Sequence, residues 1–117
     1  MKKFLFVQEQ PPHGGILGQE GLDAILMGSA FAQCTVLLLE DGIYQVLGNQ
    51  QTDELGSKDY SVTYQALRDY GVEQIFCPAS HLQRRGIDIE NLVVPVQAIS
   101  DAEVTALLNS HDVILSF

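Results

Sequence analysis

Residues 34–40 read CTVLLLE, and this stretch decides the fold prediction. The residues are apolar at nearly every consecutive position and include β-branched side chains, which is typical of a strand buried on both faces of a sheet. Such strands occur in parallel sheets, where helical crossovers cover both faces. The sequence therefore predicts an α/β fold with this strand near its centre.

Apolar runs and amphipathic segments alternate along the rest of the chain. Further strands are predicted at 2–8, 72–77, 93–99 and 112–117. Helices are predicted at 18–33, 43–47, 58–70 and 80–86, and from the Ser100 capping box onward. Ser80-x-x-Gln83 has the same capping-box form, and Gly71 is expected to end the 58–70 helix. With right-handed crossovers, residues 1–117 are expected to form one domain, a three-layer sandwich with a five-stranded, mainly parallel sheet of flavodoxin or Rossmann type.

Composition excludes several classes of protein. Hydrophobic residues make up 46% of the 117, which suffices for a folded core, and the net charge of −9 opposes direct binding to nucleic acid. No apolar run approaches the ~20 residues of a membrane helix. The start of the chain fits a first strand better than a signal peptide, so a cytoplasmic location is expected.

The helix predicted at 18–33 is apolar on more than one face. Leu22, Ile25 and Leu26 form one face, and the opposite face carries Met27 and Phe31. A helix that is apolar all round must be covered on both sides. In so small a domain one side meets the sheet, and the other is expected to meet another subunit.

Cys77 is the candidate for chemistry. It ends a predicted strand, where parallel sheets place their sites, and a helix is predicted to follow at Ser80. Free N–H groups and the helix dipole at that point would stabilise a thiolate and lower the thiol pKa below ~8.5. The alternative is a buried strand-end cysteine that packs as a small hydrophobe. Both interpretations stay open at this stage.

Charged neighbours of Cys77 follow it in the sequence. His81 would add positive charge if its ring turned toward the sulfur, whereas Arg84 and Arg85 are expected to lie too far along the helix to help much. Cys34 begins a strand, so it belongs to the opposite edge of the sheet and is expected to pack in the core. A bridge between Cys34 and Cys77 is therefore not expected.

The other candidate sites are weaker. The loop at 11–18, PPHGGILG, offers glycines and His13, but it lacks both the dinucleotide-binding glycine pattern and a Walker lysine, and Glu9 and Glu20 flank it. A flavodoxin-like module that holds a nucleotide or flavin there remains an alternative. The histidines show no metal-ligand spacing with either cysteine, so neither a metal nor a cofactor is expected.

Four segments in the same order resemble the DsrE/DsrF/DsrH-like (TusBCD) sulfur-relay family, and the DsrF/TusC subunit type in particular. They are PHGGILGQEGLDAILMGSAF (12–31), LEDGIYQVL (39–47), VEQIFCPASHLQRRGI (72–87) and HDVILSF (111–117). The segments span essentially the whole chain. The small α/β domain of that family agrees with the fold predicted from the residues.

The resemblance implies a heterohexamer of three related subunits, which takes persulfide sulfur from a donor protein and passes it to an acceptor carrier. The sulfur ends in 2-thiouridine of tRNA in one branch, the branch favoured here, and in the other the complex serves sulfur oxidation. Cys77 with Arg84-Arg85-Gly86 matches the sulfur-carrying position of the DsrE/TusD subunit. The rest of the chain resembles a subunit to which that step is not usually assigned, so a structural role is expected for it, with Cys77 as the candidate catalytic residue.

Overall fold

The fold is an open parallel sheet with helices on both faces, as predicted. The computed structural model describes residues 2–11, 16–47 and 61–117. Its strands are β1 (Lys3–Gln8), β2 (Gln33–Leu38), β3 (Gln74–Pro78), β4 (Gln97–Ile99) and β5 (Val113–Ser116). Its helices are α1 (Leu17–Gly28), α2 (Ser61–Ala66), α3 (Ala79–Arg85) and α4 (Asp101–Asn109). Segments of 3₁₀-helix cover Glu40–Val46, Leu67–Tyr70 and Ile89–Asn91.

The strand order is β4-β3-β2-β1-β5, and every pairing is parallel. β2 lies in the centre and is buried from Cys34 to Leu38, as its continuous apolar run predicts. From β1 to β4 the chain moves in one direction, and it then crosses back to β5. Because right-handed crossovers in opposite directions lie on opposite faces, this reversal puts α4 on the second face.

The hydrophobic core is divided by the sheet in the same way. On the first face Leu22 of α1, Tyr64 of α2 and Leu82 of α3 pack in one cluster with sheet residues, including Cys77. On the second face the smaller cluster consists of Leu5, Val7, Leu37 and Ile99, against which the apolar side of α4 packs. The first face thus holds most of the buried apolar surface, the main source of folding free energy.

Several predicted boundaries were wrong. α1 ends at Gly28 and not at 33, and β4 covers only 97–99 because Val93 donates its N–H to the carbonyl of Val46 instead. The capping box predicted at Ser80 does not form, since α3 begins at Ala79 and the Ser80 hydroxyl bonds to Asp101.

Other local predictions are confirmed. Ser100 and Glu103 make both hydrogen bonds of a capping box at the start of α4. Gly71 ends the 3₁₀ turn after α2 with φ of 86°, a conformation that favours glycine. The predicted loop at 48–57 and the first residues of the 58–70 helix lie outside the described residues.

Apolar side chains on α1 and next to its two ends are exposed, and contact of this surface with another subunit stays a prediction. Leu22 and Ile25 are buried against the sheet, whereas Met27 and Phe31 are 70% and 69% exposed. Ile16 and Leu17, at the other end of the helix, are also exposed. Exposed apolar side chains grouped on and beside one helix indicate a contact surface.

Candidate functional site at the carboxyl edge of the sheet

Cys77 lies where the sequence predicts, at the carboxyl end of β3 and next to the first turn of α3. Its side chain is 0% exposed and belongs to the main hydrophobic cluster. The sulfur lies 3.6 Å from the carbonyl oxygen of Pro78. The position is that of a site, but in this structure no solvent reaches the thiol.

The electrostatic expectation for Cys77 was wrong. Burial raises its pKa to about 12, and the positive charge of Arg85 opposes that rise only in part. Desolvation outweighs the adjacent helix because a thiolate in an apolar cluster loses its water shell, while α3 is only seven residues long. At neutral pH Cys77 is therefore a thiol.

His81 does not turn toward the sulfur. Its Nδ1 accepts a hydrogen bond from the backbone N–H of Glu40 at 2.9 Å, and its Nε2 lies 3.6 Å from Glu40 Oε1. An acceptor Nδ1 requires the proton to be on Nε2, so the geometry fits the neutral ring. His81 thus serves the turn after β2 and adds no positive charge beside Cys77.

The positive charge that lowers the pKa of Cys77 comes from Arg85 and not from His81. The side chain of Arg85 is only 15% exposed. Nη2 donates to Glu40 Oε2 at 2.9 Å and to Asp41 Oδ1 at 3.1 Å, and Nη1 donates to the carbonyl of His81 at 3.3 Å. Arg84, by contrast, is 59% exposed and lies 3.8 Å from Glu40. We call the group of Glu40, Asp41, His81 and Arg85 the charged clasp.

The turn that carries the acidic half of the clasp is tightly constrained. Glu40 has a φ of 50°, a left-handed conformation that costs a non-glycine residue on the order of 1–2 kcal/mol. Gly42 passes so close to β1 that an added Cβ would collide with the carbonyl group of Gln8. The clasp fixes Glu40 from the side of α3, and this offsets its unfavourable backbone conformation.

The clasp also perturbs one of its own carboxyl groups. The hydrogen bond from Arg85 lowers the pKa of Glu40, and the positive charges of Arg84 and Arg85 act in the same direction. Glu40 is therefore ionised throughout the neutral range.

Cys34 lies at the opposite edge of the sheet, as predicted. It is next to the start of β2, 5% exposed, and burial raises its pKa. Parallel pairing places Thr35, the residue after Cys34, beside Gln74 at the start of β3. Cys77 lies three residues beyond Gln74, near the other end of that strand. Both thiols are free.

The end of β1 is filled by a side chain of the protein itself. Gln8 is 0% exposed, its Nε2 donates to the carbonyl of Gly18 at 3.4 Å, and its amide lies against Gly21, where a Cβ could not fit. His13 in the adjoining loop lies outside the described residues. Within the described ranges, no group of His, Cys, Asp and Glu side chains could hold a metal ion, and no helix is long and apolar enough to cross a membrane.

Local sequence pattern did not predict the ion pair between Glu40 and Arg85. The aspartate-glycine turn was recognisable as a candidate because it follows a buried strand. The pairing of that turn with a helix more than 40 residues later could not be inferred from local pattern.

Comparison with known proteins agrees with this fold. The DsrE/DsrF-like family model matches residues 2–117. The intracellular sulfur oxidation protein DsrF of Allochromatium vinosum is 35% identical, over 100% of this chain and 97% of that protein. The ychN protein of E. coli has the same fold, with a TM-score of 0.83 over 100% of both chains at 21% identity. A Bacteroides thetaiotaomicron protein, BT1422, superposes with a TM-score of 0.65 at 14% identity, over 97% of this chain and 94% of that one.

The parallel α/β domain with a strand-end cysteine is therefore a member of the DsrE/DsrF-like family of sulfur-relay proteins. Within that family it is similar to DsrF, the subunit type that the sequence analysis indicated.

Proposed function

We propose that this chain is a subunit of a heterohexameric sulfurtransferase complex that passes persulfide sulfur between protein carriers. Its partners are two homologous small subunits of the DsrE/TusD and DsrH/TusB types, together with a sulfur donor and an acceptor carrier in the cytoplasm. The end product is 2-thiouridine in tRNA. A role in sulfur oxidation is the second candidate, favoured by the name of the similar DsrF protein.

Within the complex, the chain acts mainly by orienting its neighbours. The observation that carries this is the contrast between α1 and Cys77: Met27 and Phe31 are about two-thirds exposed or more, while the thiol is 0% exposed. Obligate interfaces are large and apolar, so exposed apolar side chains grouped in one place fit a surface that a partner covers. A buried thiol with a pKa of about 12 is poorly suited to nucleophilic attack.

Cys77 remains the candidate catalytic residue for a state in which the site opens. Its thiolate would attack the outer sulfur of the donor's persulfide. A new S–S bond would form on Cys77, the donor's S–S bond would break, and the donor cysteine would leave as a thiolate. Sulfur oxidation states are conserved in this exchange, so no oxidant is needed.

Reconstitution with labelled sulfur tests the scaffold role. Complexes containing Cys77→Ser should transfer sulfur within about tenfold of wild type, which is ~1.4 kcal/mol in the barrier. Omission of the whole chain should abolish transfer. Cys34→Ser is the matched control, as it changes a second buried thiol at the opposite edge. If Cys77→Ser stops the label while the complex still assembles, the chain is itself a persulfide carrier.

A separate measurement distinguishes the two pathways. Cells that lack the chain should lose 2-thiouridine from their tRNA, as measured by nucleoside mass spectrometry, and should regain it on complementation. Unchanged 2-thiouridine together with impaired oxidation of stored sulfur would support the second candidate.

A further inference from the structure

The second face of the sheet is incompletely covered. Among the described residues, α4 is the helix that packs on this face, and none of its nine residues is buried. Five strands about 4.8 Å apart span about 19 Å, whereas a helix with its side chains is about 10 Å wide. Since packed helices lie about 8–10 Å apart, this face has room for a second helix beside α4.

The uncovered part is a groove between α4 and the strands β3 and β4. One part of it holds about 330 Å³ and is lined by Phe76, Ile99 and Leu107, among others. A second part holds about 380 Å³ and lies where the chain at Pro95 has not yet entered β4. Both parts include Phe76 and Gln97, which are partners in the β3–β4 pairing, so they form one continuous groove. We call it the α4 groove.

The floor of the α4 groove is apolar. Ile99 is buried, Phe76 and Leu107 are half-buried, and all three belong to or pack against the second-face cluster. On the wall formed by α4, the exposed side chains of Ala106 and Ser110 are small and leave space for side chains of an occupant. Its volume is in the range of binding clefts, about 300–1,000 Å³.

Acidic side chains lie at both ends of the groove. Glu103 follows the carboxyl end of β4, where the capping box with Ser100 holds it, and Glu73 precedes the start of β3. Both are exposed. The described residues that line the two parts include no lysine or arginine, although Arg68 shares a neighbouring pocket with Glu73. An apolar occupant with a positive charge at each end matches this pattern.

We propose that the α4 groove binds an amphipathic helix of another protein, with apolar side chains toward Phe76 and Ile99 and a lysine or arginine near each end. Such a helix would complete the second layer of the domain by the helix-in-groove mode of recognition. From Glu73 to Pro78, the partner of Ile99, the strand rises about 17 Å. A helix covers that length in about eleven residues, or three turns. The proposal does not rest on sulfur transfer, because the groove belongs to this chain alone.

The test is a titration of the full-length chain with a fluorescein-labelled amphipathic helical peptide of leucine and lysine, followed by fluorescence anisotropy. A peptide with glutamate at every lysine position should bind about tenfold more weakly. Ala106→Arg puts a long cation into the groove and should weaken binding of the lysine peptide about tenfold. Thr105→Arg is the matched control and should bind as wild type, because Thr105 is exposed on the same helix but lies outside the groove lining.

Charge variants give a second readout that leaves the packing of the groove unchanged. Glu73→Gln/Glu103→Gln keeps a residue type that supports the capping box and should weaken binding about fivefold. Asp69→Asn/Glu90→Gln removes two charges at exposed positions outside the groove lining and should bind as wild type. Equal affinities within either matched pair of variants would overturn the proposal.

The exposed apolar side chains of α1 are the competing surface for such a peptide. Met27→Gln/Phe31→Gln should leave its affinity unchanged, because neither residue lines the groove. Weaker binding in this variant, with Ala106→Arg binding as wild type, would place the peptide on α1 and overturn the proposal. Far-ultraviolet circular dichroism should show the same helix content in all variants. Sulfur transfer is measured separately, so a failure of the proposed function leaves this result standing.

Discussion

Arg85 of α3 and Glu40 of the turn after β2 are 45 residues apart in the sequence, yet Nη2 of Arg85 donates to Oε2 of Glu40 at 2.9 Å. His81 also joins the pair: its Nδ1 accepts a hydrogen bond from the backbone N–H of Glu40, and its carbonyl accepts one from Nη1 of Arg85. The relationship places a charged network between the end of β2 and the helix that follows Cys77. It also explains how Glu40 is held in a left-handed conformation.

The exposed face of α1 should control assembly. Met27→Gln/Phe31→Gln is expected to leave the fold intact, because both side chains are about 70% exposed. The wild-type chain alone should self-associate, whereas the variant should be monodisperse by light scattering and should no longer co-purify with the partner subunits. Tyr70→Gln is the matched control, since Tyr70 is 57% exposed but belongs to the 3₁₀ segment Leu67–Tyr70 and not to α1. A wild-type chain that is a stable monomer at micromolar concentration would contradict this prediction.

The two cysteines should both resist alkylation in the native chain. Cys77 is expected to react no faster than Cys34, because burial raises the pKa of both thiols and brings that of Cys77 to about 12. In denaturant the two rates should rise and converge, as measured by timed labelling and peptide mass spectrometry. Rapid native labelling confined to Cys77 would show that the site opens in the isolated chain.

The ion pair of Arg85 with Glu40 should make the free energy of unfolding fall as the pH is lowered into the acid range. Arg85 lowers the folded-state pKa of Glu40 below its ordinary value of 4.5, so this contribution is fully present above about pH 4.5. It is lost as the pH falls through the folded pKa. The difference in urea midpoint between wild type and Glu40→Gln should therefore be larger at pH 7 than in acid. Glu73→Gln, at an exposed position before β3, is the control, and an equal pH dependence of both variants would argue against the clasp.

Gly42 should tolerate no side chain. An added Cβ would meet the carbonyl oxygen of Gln8 and lie 2.7 Å from its carbon, and backbone atoms of a central strand cannot move aside. Gly42→Ala is expected to destabilise the chain by about 3 kcal/mol, at the upper end of overpacking costs. Gly71→Ala, which meets nothing within 4 Å, should cost only the ~1–2 kcal/mol of its positive φ. Similar losses in thermal denaturation would mean that the Gly42 contact is relieved elsewhere.

Much of the fold was predictable because short stretches of the sequence carry the patterns typical of its strands and helices. The nearly continuous apolar run from Cys34 to Leu38 predicts burial on both faces, and the Ser100 capping box starts α4. Boundaries were less certain where two local signals competed. Ser80 has capping-box spacing with Gln83, but Pro78 already supplies an extended residue before Ala79, so the helix starts one position earlier.

The sequence by itself determined the parallel α/β sheet, the family, the unpartnered face of α1 and the position of Cys77 at a strand end. These follow from periodicity, composition and resemblance along short stretches of chain. Only the tertiary structure decided the chemical state of that cysteine. The sheet order brings the turn at Glu40 against α3, where His81 bonds to Glu40. The charge that lowers the pKa of Cys77 is therefore that of Arg85. Burial at 0% exposure then raises the thiol pKa, because desolvation depends on every side chain that packs around the sulfur, and these come from strands and helices distant in sequence.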